Sequence, residues 1–296
     1  AHERRVREIL SKLLPDGVTI CISSEVAPEI REYERFSTTV ANAYVRPLMA
    51  SYLYRLSDQM KAMGFTAPLF LMMSGGGLTT LETAARFPIR LVESGPAGGA
   101  ILASEIAAEC SLPGVLSFDM GGTTAKICLL SDGEPERARK FEIARAYRDM
   151  KGSGIPVRIP VIEMVEIGAG GGSIARVDKL SRITVGPDSA GSTPGPVCYG
   201  RGGTEPAVTD ANVVLGKIDP AYFAGGKIAL DEAGAQNALK VMIGDKLGLK
   251  EFWPAAGVAE IVEENMANAA RVHAIELGHD IAACTMIAFG GGAPLH

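Results

Sequence analysis

The chain has 296 residues, a formal net charge of −5 and 47% hydrophobic residues, enough for two domains or one large α/β unit. No basic tract interleaved with aromatics occurs, which argues against nucleic-acid binding, and no run of about 18 apolar residues occurs, which argues against a membrane-spanning helix. Five widely spaced cysteines without a C-x-x-C pair suggest neither a disulfide frame nor a zinc ribbon and fit a reduced, cytoplasmic setting.

Val6, Ile9, Leu10, Leu13 and Leu14 recur at helical spacing and predict a helix over 3–14, stopped by Pro15-Asp-Gly17. Val18 to Ile22 alternates as a short strand, and Glu29 to Ser37 reads as a charged loop or helical turn. Thr38 or Thr39 can cap a long helix running to about Met63, with Pro47 kinking it or starting a second one. Asn42 and Arg46 lie one turn apart on it, facing either a cleft or solvent. Leu69 to Met73 reads as a buried strand entering Ser74-Gly75-Gly76-Gly77, followed by a short helix over Thr79 to Arg86. Ser94 caps a further helix with Pro96 in its first turn, and its many small residues up to Ala108 permit close approach of its neighbours.

The most informative stretch is Gly114-Val-Leu-Ser-Phe-Asp-Met-Gly-Gly-Thr-Thr-Ala-Lys-Ile-Cys-Leu-Leu130. Two apolar runs flank an acid, two glycines and two threonines, which predicts a β-hairpin with those groups at its tip. Gly121 and Gly122 let a ligand approach the backbone, and their N–H groups with the hydroxyls of Thr123 and Thr124 suit phosphate oxygens. Asp119 suits a magnesium ion or an attacking water. An ordinary tight hairpin with a solvated acid has the same local pattern.

Phe141 to Ala146 reads as a strand, Asp149 to Gly154 as a polar turn, and Pro160 to Ile167 as a strand entering Gly168-Ala-Gly170-Gly171-Gly172-Ser173. More strand is expected between Ile174 and Pro187, then an ordered Pro- and Gly-rich loop from Gly186 to Gly203. Thr209-Asp-Ala-Asn212 reads as a capped helix start, Leu230 to Leu247 and Pro254 to Leu277 as helices, His273 as a packed core histidine, and Met286 to Phe289 as a strand entering Gly290-Gly291-Gly292.

Four strand-then-glycine units on one chain suggest a cleft lined with backbone amides, suited to a polyphosphate or an anionic intermediate. A dinucleotide fingerprint is unsupported, because the stretch after Gly168 continues as strand rather than helix. No G-x-x-x-x-G-K-[ST] occurs, and Ser189 does not sit in a G-x-S-x-G elbow. Cys198 lies in a rigid loop with no histidine near it in sequence, which favours a buried thiol over a nucleophile.

Seven stretches occur in an order that resembles the hydantoinase A / 5-oxoprolinase family: Ser74 to Leu78, Ser94 to Gly99, Phe118 to Thr124, Gly168 to Ala175, Pro194 to Gly203, Thr209 to Asn212 and Ala288 to His296. His2-Glu-Arg-Arg, Glu34 to Thr39 and Asn42 to Pro47 fit as well, so the resemblance runs the whole length. It implies an α/β, actin-like (ribonuclease H-like) ATPase fold. Residues 1–94 would be the remainder of a first lobe, and 95–296 a second lobe with phosphate and adenosine motifs, joined by the helix from Ser94. It further implies ATP and Mg²⁺ as cofactors, a hydantoinase B-like partner in an oligomeric complex, and ATP-dependent hydrolysis of a cyclic amide such as a hydantoin or 5-oxoproline. The alternatives are an acetone- or acetophenone-type carboxylase subunit and a non-catalytic actin-like nucleotide-binding module. By this resemblance Asp119 serves the metal and catalysis, Gly121, Gly122, Thr123 and Thr124 hold phosphate, and Gly290, Gly291 and Gly292 hold adenosine. Gly170, Gly171, Gly172, Ser173, Cys198 and Arg201 would face the substrate.

The chain departs from the family pattern in three ways. It carries one D-x-G-G-T where members usually have another in a preceding domain, so it is expected to be a piece lacking that domain and inactive alone. Lys126 stands where many members have Asp, and Glu163 and Val165 stand where many have Asp and His.

Overall fold

A computed structural model describes residues 2–146 and 152–296. The helices are α1 (His2–Leu13), α2 (Ser23–Val26), α3 (Glu32–Ala62), α4 (Leu81–Arg86), α5 (Ser94–Glu109), α6 (Val208–Val214), α7 (Glu232–Leu239), α8 (Asp245–Leu247) and α9 (Trp253–Glu276). The strands are β1 (Phe70–Met72), β2 (Leu78–Thr80), β3 (Gly114–Met120), β4 (Ala125–Ser131), β5 (Glu134–Pro135), β6 (Arg137–Ala138), β7 (Phe141–Ile143), β8 (Ile155–Val157), β9 (Val161–Ile162), β10 (Val165–Ile167), β11 (Ser173–Val177), β12 (Ile183–Ser189) and β13 (Thr285–Phe289). The α/β class is as expected. Among the described residues no helix is long and apolar enough to cross a membrane.

Two compact units divide the chain differently from the expected 1–94 and 95–296. The first holds residues 1–102 and 135–163, the second 103–134 and 164–296. Residues 135–163 belong to the first because they bond to α3: Ser37 Oγ donates to the Pro156 carbonyl, and Thr38 Oγ1 accepts from Arg158 N at 2.8 Å.

In the first unit β1 and β2 form an antiparallel pair around the turn Ser74–Gly77, where the expected strand is short and only half-buried. Its core is Val26, Ile89, Val157, Ile159 and Val161, with Leu53, Ala84 and Ala85 in a second cluster. Four expectations change here. Val18 to Ile22 forms no strand, having no partner to complete a ladder. The long helix starts at Glu32 rather than at a threonine cap, with Glu32 and Glu34 in its first turn, where acids favour a helix start. It runs through Pro47 unbroken. The apolar stripe of α1 is not buried, and Val6 is 52% exposed. Asp149 to Lys151, part of the expected polar turn, lies outside the described residues.

The second unit is built on a sheet in the order β10-β4-β3-β13, with β13 parallel to β3 and the other neighbours antiparallel. One face carries Leu116, Phe118 and Met120 opposite Ala125, Ile127 and Leu129, and packs with Val258, Val262 and Met266 of α9 and Val208 and Ala211 of α6. Each large aliphatic buried there contributes about 1.5–3 kcal/mol. The expected strand Pro160 to Ile167 is two strands, β9 paired with β6 and β10 paired with β4. The expected helix Leu230 to Leu247 is α7, a π turn over Lys240–Gly244, and α8.

Candidate functional site

The hairpin forms as its sequence dictates. Asp119 and Lys126 face each other in register near its end, and Gly121 N donates to Thr124 O at 3.1 Å to close the turn. Gly121, Gly122 and Thr123 are exposed, and a Cβ added at either glycine would meet open space. The N–H groups of Gly122 and Thr123 and the hydroxyls of Thr123 and Thr124 have no protein acceptor among the described residues. Successive free amides at such a tip form a concavity that favours an anion.

Two further glycine clusters are fastened to this tip. Gly171 N donates to Gly121 O at 3.1 Å and Gly172 N to Gly122 O at 2.6 Å. A Cβ on Gly170 would stand 2.6 Å from Thr123 N, so only glycine lets the loop lie this close. From the other side, β13 ends beside β3 with Phe289 paired to Asp119, and Gly292 N donates to Met120 O at 2.8 Å. Gly290 has φ +84, and its Cβ would clash with the Asp119 carboxylate and stand 2.7 Å from Met120 O. Asp119 is therefore half-buried between the hairpin end and the triplet, at the carboxyl ends of two parallel strands, where open α/β sheets bind ligands. Gly291 faces open space. The fourth cluster, Gly75 to Gly77, packs on Pro160, Ile101 and Ile162 of the first unit.

The residues assigned by resemblance to substrate sit differently. Gly170 and Gly172 are buried under the tip. Ser173 is fully buried, accepting from Gly170 N at 2.9 Å and donating to Gly168 O at 3.3 Å, so its hydroxyl braces the loop. Cys198 is fully buried among Val213, Leu230 and Ala235. Burial, with the negative Asp210 nearby, pushes its thiol far above the usual range, so it is no thiolate. Arg201 is exposed, its guanidinium 5.9 Å from the centre of the Tyr199 ring.

Sequence reasoning missed Asp210. It is fully buried and accepts from Ala207 N at 2.7 Å, Cys198 N at 2.7 Å and Val197 N at 3.1 Å. The T-D-A-N pattern signalled a helix start but not the loop gathered by the same carboxylate. Its neighbour Thr209 ties α6 to the tip loop, donating to Gly171 O through N at 2.7 Å and Oγ1 at 2.8 Å. Asn212 Nδ2 meets His296 Nε2 at 3.0 Å, and His296 Nδ1 meets Glu263 Oε1 at 3.1 Å, which fastens the chain after the triplet to α6 and α9.

A family model described as hydantoinase/oxoprolinase matches residues 35–296. The chain belongs to that family. Over its whole length it is 36% identical to the gamma subunit of acetophenone carboxylase from Aromatoleum aromaticum, of which it covers 40%. The nucleotide-free structure of acetone carboxylase, an ATP-dependent enzyme, matches with a TM-score of 0.83 at 28% identity, over 100% of this chain and 41% of that one. The crystal structure of the ATP-dependent caprolactamase from Pseudomonas jessenii matches with a TM-score of 0.72 at 35% identity, over 98% of this chain and 40% of that one. The chain thus spans about two fifths of the length of these hydantoinase/oxoprolinase relatives.

Proposed function

We propose that this chain is the nucleotide-handling part of a larger cytoplasmic, ATP-dependent enzyme that hydrolyses a cyclic amide together with a hydantoinase B-like partner. The observation that carries the reading is the meeting of three glycine clusters at the end of β3, Gly170 to Gly172 fastened to the tip and Gly290 to Gly292 lying against Asp119. The tip Gly121 to Thr124 offers free amides and hydroxyls for phosphate, and Gly290 to Gly292 borders the same acid as an adenosine-side wall. That arrangement supports an actin-like ATPase lobe.

Among the described residues no group of three or more His, Cys, Asp or Glu stands ready to hold a metal. Mg²⁺ is commonly held by one or two carboxylates, with phosphate and water oxygens completing its shell, and Asp119 is the carboxylate we assign to it. Bound ATP would supply a phosphoryl group to the ring amide oxygen, releasing ADP and making the amide carbon a better electrophile for water, with the ring nitrogen leaving. Asp119 stands at the end of β3 beside the tip, and the backbone around Gly121 and Gly122 orients the anion without a side chain in the way.

The test uses the full-length protein with its partner subunit. Phosphate release is measured with N-methylhydantoin, 5-oxoproline and caprolactam, and with acetophenone and bicarbonate. Release driven by a cyclic amide and lost in Asp119→Asn supports the reading. Release driven by the ketone instead favours the carboxylase reading, which the higher TM-score to acetone carboxylase supports. Turnover unchanged in Asp119→Asn makes this chain a non-catalytic module.

A further inference from the structure

A second concentration of charge lies in the first unit, around Ile20–Val26. Glu25 Oε2 accepts from Arg7 Nη1 at 2.8 Å and from Arg86 Nη2. Arg90 stacks over the Phe87 ring at 4.9 Å and donates to Val26 O at 3.3 Å. Arg46 Nη1 reaches only Ile20 O at 3.4 Å and Cys21 Sγ at 3.6 Å. Neither Arg46 nor Arg90 has a carboxylate within ion-pair reach among the described residues, while Glu25 is shared by Arg7 and Arg86 and Glu3 is taken by Ser23 Oγ at 2.6 Å, Ser24 N at 2.8 Å and Arg35 at 3.8 Å.

Arg7, Arg46 and Arg86 border a cavity of about 220 Å³, whose remaining wall includes Cys21, Ile22, Phe87 and the Glu25 carboxylate already paired with Arg7 and Arg86. At about 30 Å³ of liquid volume per water, that is room for several waters or one small organic molecule. Arg46 uses only Nη1 within the protein among the described residues, leaving most of its five donors for a ligand at the cavity. Its planar fork matches a carboxylate in two parallel hydrogen bonds.

We propose that this cavity binds a small organic monocarboxylate, its carboxylate on Arg46 and its apolar body against Ile22 and Phe87. The site is independent of the hairpin tip, so its failure leaves the nucleotide reading standing.

The experiment is isothermal titration of the full-length protein with benzoate, with benzamide as the uncharged isostere and inorganic phosphate as the anion without an apolar body. Benzoate is expected to bind at least about tenfold more tightly than either, with Arg46→Gln abolishing that preference and Arg46→Lys restoring part of it. In the wild type, benzoate should also slow alkylation of half-buried Cys21 by iodoacetamide and leave exposed Cys110 unaffected, read peptide by peptide in a mass spectrometer. That second readout decides the matter if Arg46→Gln fails to fold. Equal binding of benzamide, equal or tighter binding of phosphate, or no protection of Cys21 overturns the proposal.

Discussion

The N–H of Gly172 donates to the carbonyl of Gly122 at 2.6 Å, so the loop after β10 sets where the hairpin tip stands. The tip owes its position to a neighbouring loop as much as to its own turn. That separates glycines needed for packing from glycines needed for space.

Gly170→Ala and Gly121→Ala should therefore fail differently. An alanine at 170 drives its Cβ to 2.6 Å from Thr123 N and should destabilise the second unit by about 1–3 kcal/mol while displacing the tip. An alanine at 121 meets no protein atom within 4 Å, so the urea midpoint should hardly move. If phosphate occupies that open space, Gly121→Ala still weakens ATP binding by about tenfold. Urea melts beside ATP titrations of the full-length protein check both, and normal ATP affinity in Gly121→Ala would count against the phosphate assignment.

Lys126 stands opposite Asp119 on the same face of the sheet and 3.8 Å from Glu166. Its positive charge should compete with a cation at Asp119. Lys126→Ala is expected to cost less than about 1 kcal/mol of stability, as a partly exposed pair would. It should lower the Mg²⁺ concentration needed for half-maximal phosphate release by about threefold to tenfold, the size of one nearby charge in a partly wet site. A rise in the Mg²⁺ requirement would contradict this.

Asp210 and Cys198 offer a test of structure against chemistry. Asp210→Ala strands three backbone N–H groups in a buried loop, at about 1–3 kcal/mol for each left unsatisfied. It should abolish or severely weaken folding of the second unit. Cys198→Ala should lose stability through a small cavity but keep its turnover per folded molecule. In the native protein Cys198 should resist iodoacetamide while Cys110 reacts, and alkylation of both in native protein would show that the loop opens.

The hairpin was legible because two apolar runs flank a turn rich in glycine and hydroxyls, and both strands are covered on their Phe118 and Ile127 face. Gly290 to Gly292 was legible for the same reason: a strand ends on it. The joint in Pro160 to Ile167 was not, since Glu163 and Met164 carry no Gly or Pro to mark where one ladder ends and another begins. The early start of α3 was hidden by charged residues that read as loop yet serve as its acidic first turn. In the site, Asp119 and the tip were visible as a motif. Ser173 and Asp210 were not, because bracing a distant loop leaves no local pattern.

His296 should impose a pH dependence of its own. Its side chain is 1% exposed, and burial pushes its pKa below the ordinary 6.5, with Glu263 pulling part of the way back. The folded state thus holds it neutral, with Asn212 Nδ2 donating to Nε2 and Nδ1 donating to Glu263, itself bonded to Lys217 Nζ at 2.9 Å. The unfolded chain binds a proton near 6.5 and the folded chain binds it only at lower pH, so stability rises with pH between the two values. It is complete above 6.5 and declines as pH falls from there through the folded value. Glu3, whose pKa is lowered from 4.5 to about 2 by Ser23 and the Ser24 amide, adds its own loss only below 4.5. Urea midpoints of the full-length protein should fall as the pH drops below 6.5, and His296→Gln should flatten that part of the curve. Because the histidine anchors the turn after Gly292, ATP affinity should weaken over the same interval in the wild type and not in the variant. A midpoint that is flat in the wild type over this interval would mean that His296 is already solvated and anchors nothing.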